Sequence, residues 1–349
     1  MNKKSKLIMI ICLLMTAMTL FSEHKTRMIT DLAGNKVEIP EVKDIQKVII
    51  ISPPLVSTFI SVIKSTSMLV GIHPGAINSA NVEIFDLMVP NKRNISTTFI
   101  SGFTSNPEEV MKLNPDIILV YGNFQKNGLE NIKVPVVDFF ISDMDNESWS
   151  VKIEMLMREI FDMDKKLTLT NEWNNSKKIV NNTLDKLNKE NRKTALVIFS
   201  NTGDHISVRG DGSYGDDWLK KSGLINSAVG IKGDNIEVGM EQLLKWDPDI
   251  IYIFNGKAAS DYLSNSIRGQ DWSQFKAFKN KTIFDYPRGM FNWGAPNIDS
   301  PLTLIWMTMK NYPGKIDENY FNEYMKSYYK RQYGILLTDK LLESILNPN

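Results

Sequence analysis

Cysteine is nearly absent: Cys12 is the single one in 349 residues. Everything after it is therefore free of disulfides, thiolate nucleophiles and cysteine-based metal sites. Histidine is almost as scarce, with only His24, His73 and His205. A site for a bare zinc or manganese ion wants a denser set of imidazoles and carboxylates, so none is expected. Charge of one sign is lacking too, since 41 basic side chains stand against 40 acidic ones. No basic stripe forms, which argues against nucleic acid as a partner. What remains is 42% hydrophobic, too apolar for disorder, and long enough for about two domains.

The first residues have the order of a secretory signal. Lys3, Lys4 and Lys6 precede an apolar run, Leu7 to Phe21, broken only by Thr16 and Thr19. A membrane span needs about 20 residues, and this run is shorter. A cleavable signal, residues 1–22, ending after Ser22 is expected, with an uncleaved anchor as the alternative. Cys12 follows Ile11 inside the run. Lipid attachment needs a small residue before a cysteine at the end of the apolar core, so no lipid anchor is expected. The expected compartment is the periplasm.

Short apolar runs alternate with helical stretches. Val48–Ile51, Ile117–Tyr121 and Val134–Phe140 read as buried strands in the first half, and Ala195–Ser200, Ile250–Phe254 and Thr282–Tyr286 in the second. Such uninterrupted runs suit parallel strands covered on both faces, linked as βαβ units. One internal repeat is visible. PEEVMKLNPDIILVY begins at Pro107, MEQLLKWDPDIIYIF begins at Met240, and Pro115 and Pro248 align. Each copy is a helix stopped before a proline and followed at once by a strand. Two similarly built lobes are expected.

Between them, Glu147–Phe161 and Lys165–Glu190 lack proline and glycine. Leu169, Trp173, Ile179, Val180, Leu184 and Leu187 recur there at helical spacing. A helix over 165–190 would be about 39 Å long. It reads either as a strut joining two lobes or, with its predecessor, as two ordinary helices within one lobe.

With these residues in view, the sequence resembles the helix-linked class of periplasmic substrate-binding proteins that serve importers of iron-siderophores, haem and cobalamin. Thr30–Pro40 (TDLAGNKVEIP) looks like that family's first hairpin. Asn114-Pro115-Asp116-Ile117-Ile118 looks like its helix–strand turn. Trp293, Pro301-Leu302, Trp306 and Tyr312-Pro313 are similar to the tail of its iron-complex members. The resemblance implies an α/β fold of two three-layer, Rossmann-like lobes with a ligand cleft between them. The boundaries expected are an N-terminal lobe at 23–145, a helical linker at 146–192 with one long rigid helix, and a C-terminal lobe at 193–349. It also implies a monomer without catalysis or cofactor, delivering its ligand to an ABC permease with its cytoplasmic ATPase. In this family one glutamate per lobe docks on the permease, and the matching residues are Glu108 and Glu241.

Candidate ligand residues follow from chemistry and placement. Open α/β sheets bind at the carboxyl ends of their strands, which selects Tyr121 and Tyr286. Loops add His73, Phe103, Arg209, Tyr214, Arg268, Arg288 and Trp293. Arginines suit an anionic chelate and aromatics its apolar faces. Trp293 is expected near the cleft. His73 is also a candidate metal ligand, against the alternative of a plain exposed loop histidine.

Gly210 to Gly215 spell G-x-G-x-x-G, with Asp234 near the position of a ribose-binding acid. The motif comes late, and the first βα unit lacks it. A rim loop whose glycines admit a ligand is the favoured reading, and a secreted nucleotide-using enzyme the contrasting one. The expected ligand is an iron complex, a ferric siderophore or haem, with cobalamin or a nickel or cobalt chelate behind it. A periplasmic sensor or adhesion domain is a third reading, which no fused signalling segment or second anchor supports.

Overall fold

In a computed structural model, the chain is described over residues 25–348, apart from 165, 167 and 188–191. The signal segment, Cys12 and His24 lie outside the described residues. No helix among those described is long and apolar enough to cross a membrane.

The apolar runs become strands because both of their faces are buried. Strands β1 (Thr26–Thr30) and β2 (Lys36–Pro40) form the expected antiparallel hairpin. Its turn is closed by Asp31, which accepts the Asn35 N–H at 2.7 Å, and Leu32 donates to the Asp138 carbonyl. Then β3 (Val48–Ile50), β4 (Leu69–Ile72), β7 (Ile117–Val120) and β8 (Val136–Asp138) build a parallel sheet in the order β4-β3-β7-β8. The small hairpin β5 (Ile100–Ser101) and β6 (Thr104–Ser105) forms a separate two-stranded sheet.

The second sheet runs β12-β10-β9-β13-β14, from β9 (Thr194–Asn201), β10 (Ile206–Val208), β12 (Ile236–Glu237), β13 (Ile250–Gly256) and β14 (Ile283–Asp285). Strand β11 (Ile225–Asn226) adds to the start of β9. Strands β9, β13 and β14 are parallel, and β10 and β12 are antiparallel.

Of the helices, α1 (Leu55–Ile63), α2 (Val82–Met88) and α3 (Pro107–Lys112) belong to the first half. Next come α4 (Asn146–Ile160) and α5 (Thr168–Leu184). The second half holds α6 (Tyr214–Lys221), α7 (Met240–Trp246), α8 (Ala259–Leu263), α9 (Ser300–Asn311), α10 (Glu318–Tyr333) and α11 (Asp339–Leu346).

Alternation along each strand divides the core. Val48, Ile50, Ile117 and Leu119 point to a central core, while Ile49, Ile118 and Val120 point outward to Val110 of α3. In the second sheet Ala195, Val197, Ile250 and Tyr252 face the centre, and Leu196, Ile198, Ile251 and Ile253 pack outward with Leu243 of α7. The central core is continuous between the two sheets, through Met157 of α4, Trp173 of α5, Trp306 of α9 and Tyr328 of α10.

In the linker two helices follow one another, and the second lies within the span expected for the strut, 165–190. Helix α4 ends before Asp162, which takes a left-handed conformation (φ 47°). Helix α5 spans 17 residues, about 26 Å. The remainder of the expected 165–190 helix falls partly outside the described residues. Buried Glu154 joins the two helices, accepting from Arg158 Nη2 at 2.8 Å and from the Leu169 N–H at 3.2 Å. From the far end of the chain, α10 ties in both halves. Arg331 grips Glu172 of α5 at 2.6 and 2.9 Å, and Ser61 of α1 donates to the Gln332 carbonyl at 2.9 Å.

Candidate functional site: an aromatic band between two sheets

A continuous row of rings crosses from the first sheet to the second. Phe140, just past β8, lies 5.5 Å from Tyr121 at the end of β7. Tyr121 lies 5.1 Å from Trp149 on α4, and Trp149 lies 6.0 Å from Tyr214 at the start of α6. The Arg209 guanidinium then sits 4.1 Å from the Tyr214 ring centre and 3.7 Å from that of Phe199. Phe199, near the end of β9, stacks on Phe254 of β13 at 5.4 Å. Phe140 is 40% exposed, and Tyr121, Trp149, Phe199 and Phe254 are half-buried, so the band offers ring surface to an incoming molecule. Burial pushes the Tyr121 hydroxyl above its ordinary range, and it donates to the Ile141 carbonyl at 3.2 Å.

Among the described residues, Arg209 is the one cation inside this row. It is only 5% exposed, clamped between two rings in cation–π geometry. Its Nη1 donates to the Asp234 carbonyl and lies 3.2 Å from the Asp234 carboxylate, and its Nη2 donates to the Tyr214 hydroxyl. Its Nε is buried and has no partner among the described residues. Burial of Tyr214 raises its hydroxyl to about 12, so it remains a neutral acceptor for the guanidinium. A buried cation held by one half-exposed carboxylate can exchange that carboxylate for an anionic ligand.

The glycine motif corrects its own reading. Gly210 donates to the Gly233 carbonyl at 2.9 Å and Asp211 to the Ile231 carbonyl at 2.8 Å, so segment 231–234 clasps the loop. A Cβ on Gly210 would lie 2.1 Å from the Ile231 oxygen, and one on Gly215 would lie 2.6 Å from the Arg209 Cβ. Gly210 and Gly215 thus admit protein, while Gly212, at φ 77°, has open space around it. The preceding strand, β10, is antiparallel, and Ser213 caps α6 with its own hydroxyl. Asp234 serves Arg209.

The other expected residues divide. His73 stacks on Phe103 at 4.6 Å, and Phe103 meets Phe124 edge-on at 5.1 Å, forming a lip on the first half. His73 Nδ1 accepts from the Gly75 N–H at 2.9 Å, so Nε2 carries the proton and donates to the Gly102 carbonyl at 2.8 Å. Burial lowers its pKa. With both nitrogens engaged, it is not poised as a metal ligand. Among the described residues, no three His, Cys, Asp or Glu side chains gather around a point that could hold a metal.

Arg268 is exposed in the loop after α8. Arg288 lines a recess of about 410 Å³ beside the band, with Phe254, Lys257, Asp261, Asp285 and Pro348. Tyr286 and Trp293 are corrections. Tyr286 is 1% exposed, packed against Tyr252 and Trp306. Trp293 is fully buried and donates to Asp299 at 3.2 Å. Both are core. Phe199 and Phe254 were missed, although the strand-end rule that selects Tyr121 points to them equally. Trp149 carried no signal and Asp234 only that of a ribose-binding acid, because only folding brings a helix start and a remote loop to Arg209.

Two sheets, with an aromatic band and one caged arginine between their carboxyl ends, define a two-lobed solute-binding protein. The chain belongs to the periplasmic binding protein family, whose sequence profile matches residues 88–289. The molybdate-binding protein of Haemophilus influenzae is 22% identical to it, over 95% of this chain and 97% of that one. The Fe(3+)-citrate-binding protein of Bacillus subtilis is 28% identical over 52% of this chain and 57% of that relative. The crystal structure of a periplasmic solute-binding protein from Veillonella parvula superposes with a TM-score of 0.76 at 27% identity, covering 92% of this chain and 97% of the other.

Proposed function

We propose that this protein is the periplasmic, monomeric substrate-binding component of an ABC importer, and that its ligand is an anionic metal chelate, an iron complex first among them. The observation that carries this reading is the aromatic band interrupted by Arg209. Rings cover the flat apolar faces of a chelate, and a desolvated guanidinium pairs with its negative edge. The dispersed acidic and histidine side chains favour a metal that arrives coordinated by atoms of its own ligand. A molybdate-binding and a ferric-citrate-binding relative both handle anions that contain a metal.

A compact oxyanion such as molybdate is the second reading, supported by the relative that matches almost the whole length. Capture would take place between the lobes, with limited closure, followed by docking on the permease through Glu108 and Glu241. Both glutamates are exposed in the first turns of α3 and α7.

Tryptophan-fluorescence titration tests the reading, with Trp149 as the reporter inside the band. The panel is ferric citrate, ferric siderophores, haem, cobalamin, nickel–histidine and molybdate. Saturable submicromolar quenching by one chelate supports the main reading, and a response to molybdate alone supports the second. Silence toward all of them overturns both. Replacing Glu108 and Glu241 together by alanine is expected to abolish uptake while leaving that titration unchanged.

A further inference from the structure

The two repeat copies agree at positions the fold does not need. Buried Val110 and Leu243, Pro115 and Pro248, and the strand residues after them match because each helix must pack on its sheet. Three exposed positions match as well: Glu108 with Glu241, Met111 with Leu244, and Lys112 with Lys245, all at the repeat offset. Met111 is 47% exposed and Leu244 36% exposed. Each stands three residues after its glutamate, on the same face of its helix. Each lysine is already tethered within its own helix, Lys112 to Glu109 at 2.6 Å and Lys245 to Glu241 at 2.8 Å. Such exposed pairs are weak and exchange readily with an outside cation.

Packing explains a repeated buried residue. It does not explain a repeated exposed apolar residue beside a repeated carboxylate. We infer that Met111 and Leu244 are the apolar contacts of a duplicated docking face, and that the partner is built from two like halves, each offering a cation beside an apolar recess. This rests on the transport reading and adds two specificity residues to it. The carboxylates set register, and the apolar side chains hold the complex by excluding water around those charges.

The test uses the whole mature chain, labelled at Lys178→Cys on the exposed side of α5, since the described residues hold no cysteine. The probe is membrane vesicles from the organism that makes the protein, washed free of it. Saturable binding is measured for the parent, for Met111→Gln with Leu244→Gln, and for Glu108→Gln with Glu241→Gln. Ligand titration and thermal unfolding confirm that each variant stays folded and competent. The expected result is about tenfold weaker vesicle binding for the apolar pair, with ligand affinity unchanged. If the glutamate pair loses binding and the apolar pair does not, this inference falls and the docking reading stands. If neither pair alters binding, or the parent does not bind saturably, both fall.

Discussion

Asp116 and Asp249 make the same bond in the two sheets. Asp116 Oδ2 accepts the Gln46 and Lys47 N–H groups, both at 2.7 Å, ahead of β3. Asp249 Oδ2 accepts the Thr194 N–H at 2.8 Å and the Thr194 hydroxyl at 3.1 Å, at the start of β9. In each copy the residue two before the aspartate turns left-handed, Asn114 at φ 47° and Asp247 at φ 38°. Asn and Asp tolerate that conformation. The repeat is thus a working device: helix, left-handed stop, proline, then a carboxylate that registers the neighbouring strand. Asp249→Ala should cost about 1–3 kcal/mol in urea unfolding, with a smaller loss for Asp116→Ala, where the Gln46 amide meets water. An unchanged midpoint for Asp249→Ala would mean the strand start is held by other bonds.

The caged arginine gives a prediction in two directions. Arg209→Gln removes the positive edge and should weaken binding of an anionic chelate by 10- to 100-fold, on the order of one charged hydrogen bond. Asp234→Asn removes the competing carboxylate and should tighten the same ligand. Fluorescence titration reads both. If Asp234→Asn weakens binding instead, the carboxylate contacts the ligand and is not a placeholder.

Asp299 sets a pH dependence of stability. It is fully buried, and burial pushes its pKa from 3.8 up to about 7, against hydrogen bonds from Tyr333, Tyr329 and Trp293 that lower it. A pKa raised in the folded state means that folding favours the protonated form. Its stabilising effect is full below about pH 4 and is lost as pH rises through about 7, a change of a few kcal/mol. Denaturant midpoints measured from pH 5 to 8 should therefore fall for the parent and flatten for Asp299→Asn. Parallel profiles for the two proteins would assign the dependence to other groups.

The continuous central core predicts that both halves unfold together. Trp173 is fully buried, stacks on Trp218 at 5.9 Å and donates to Ser150 at 2.9 Å. It thereby joins α5 to α6 and α4. A single calorimetric transition is expected, and Trp173→Ala should lower it by about 3–5 kcal/mol without splitting it. Two transitions in the parent would mean that the halves are independent.

The sequence alone determined the strands, the repeat and the two-sheet α/β class, because each is written in local order. Unbroken apolar runs demand burial on both faces, and a proline after a helical turn demands a stop. It also singled out Tyr121, Arg209 and Tyr214 as candidate site residues, since strand ends and loops face a cleft in such folds. The tertiary structure decided what those residues do. It drew Trp149 and Asp234 to Arg209 from opposite directions along the chain, and it sent Tyr286 and Trp293 into the core. It also turned the glycine motif into a clasped loop. Aromatic and arginine side chains serve core and cleft equally well, so their role follows from which neighbours reach them, and the order of the chain does not carry that distance.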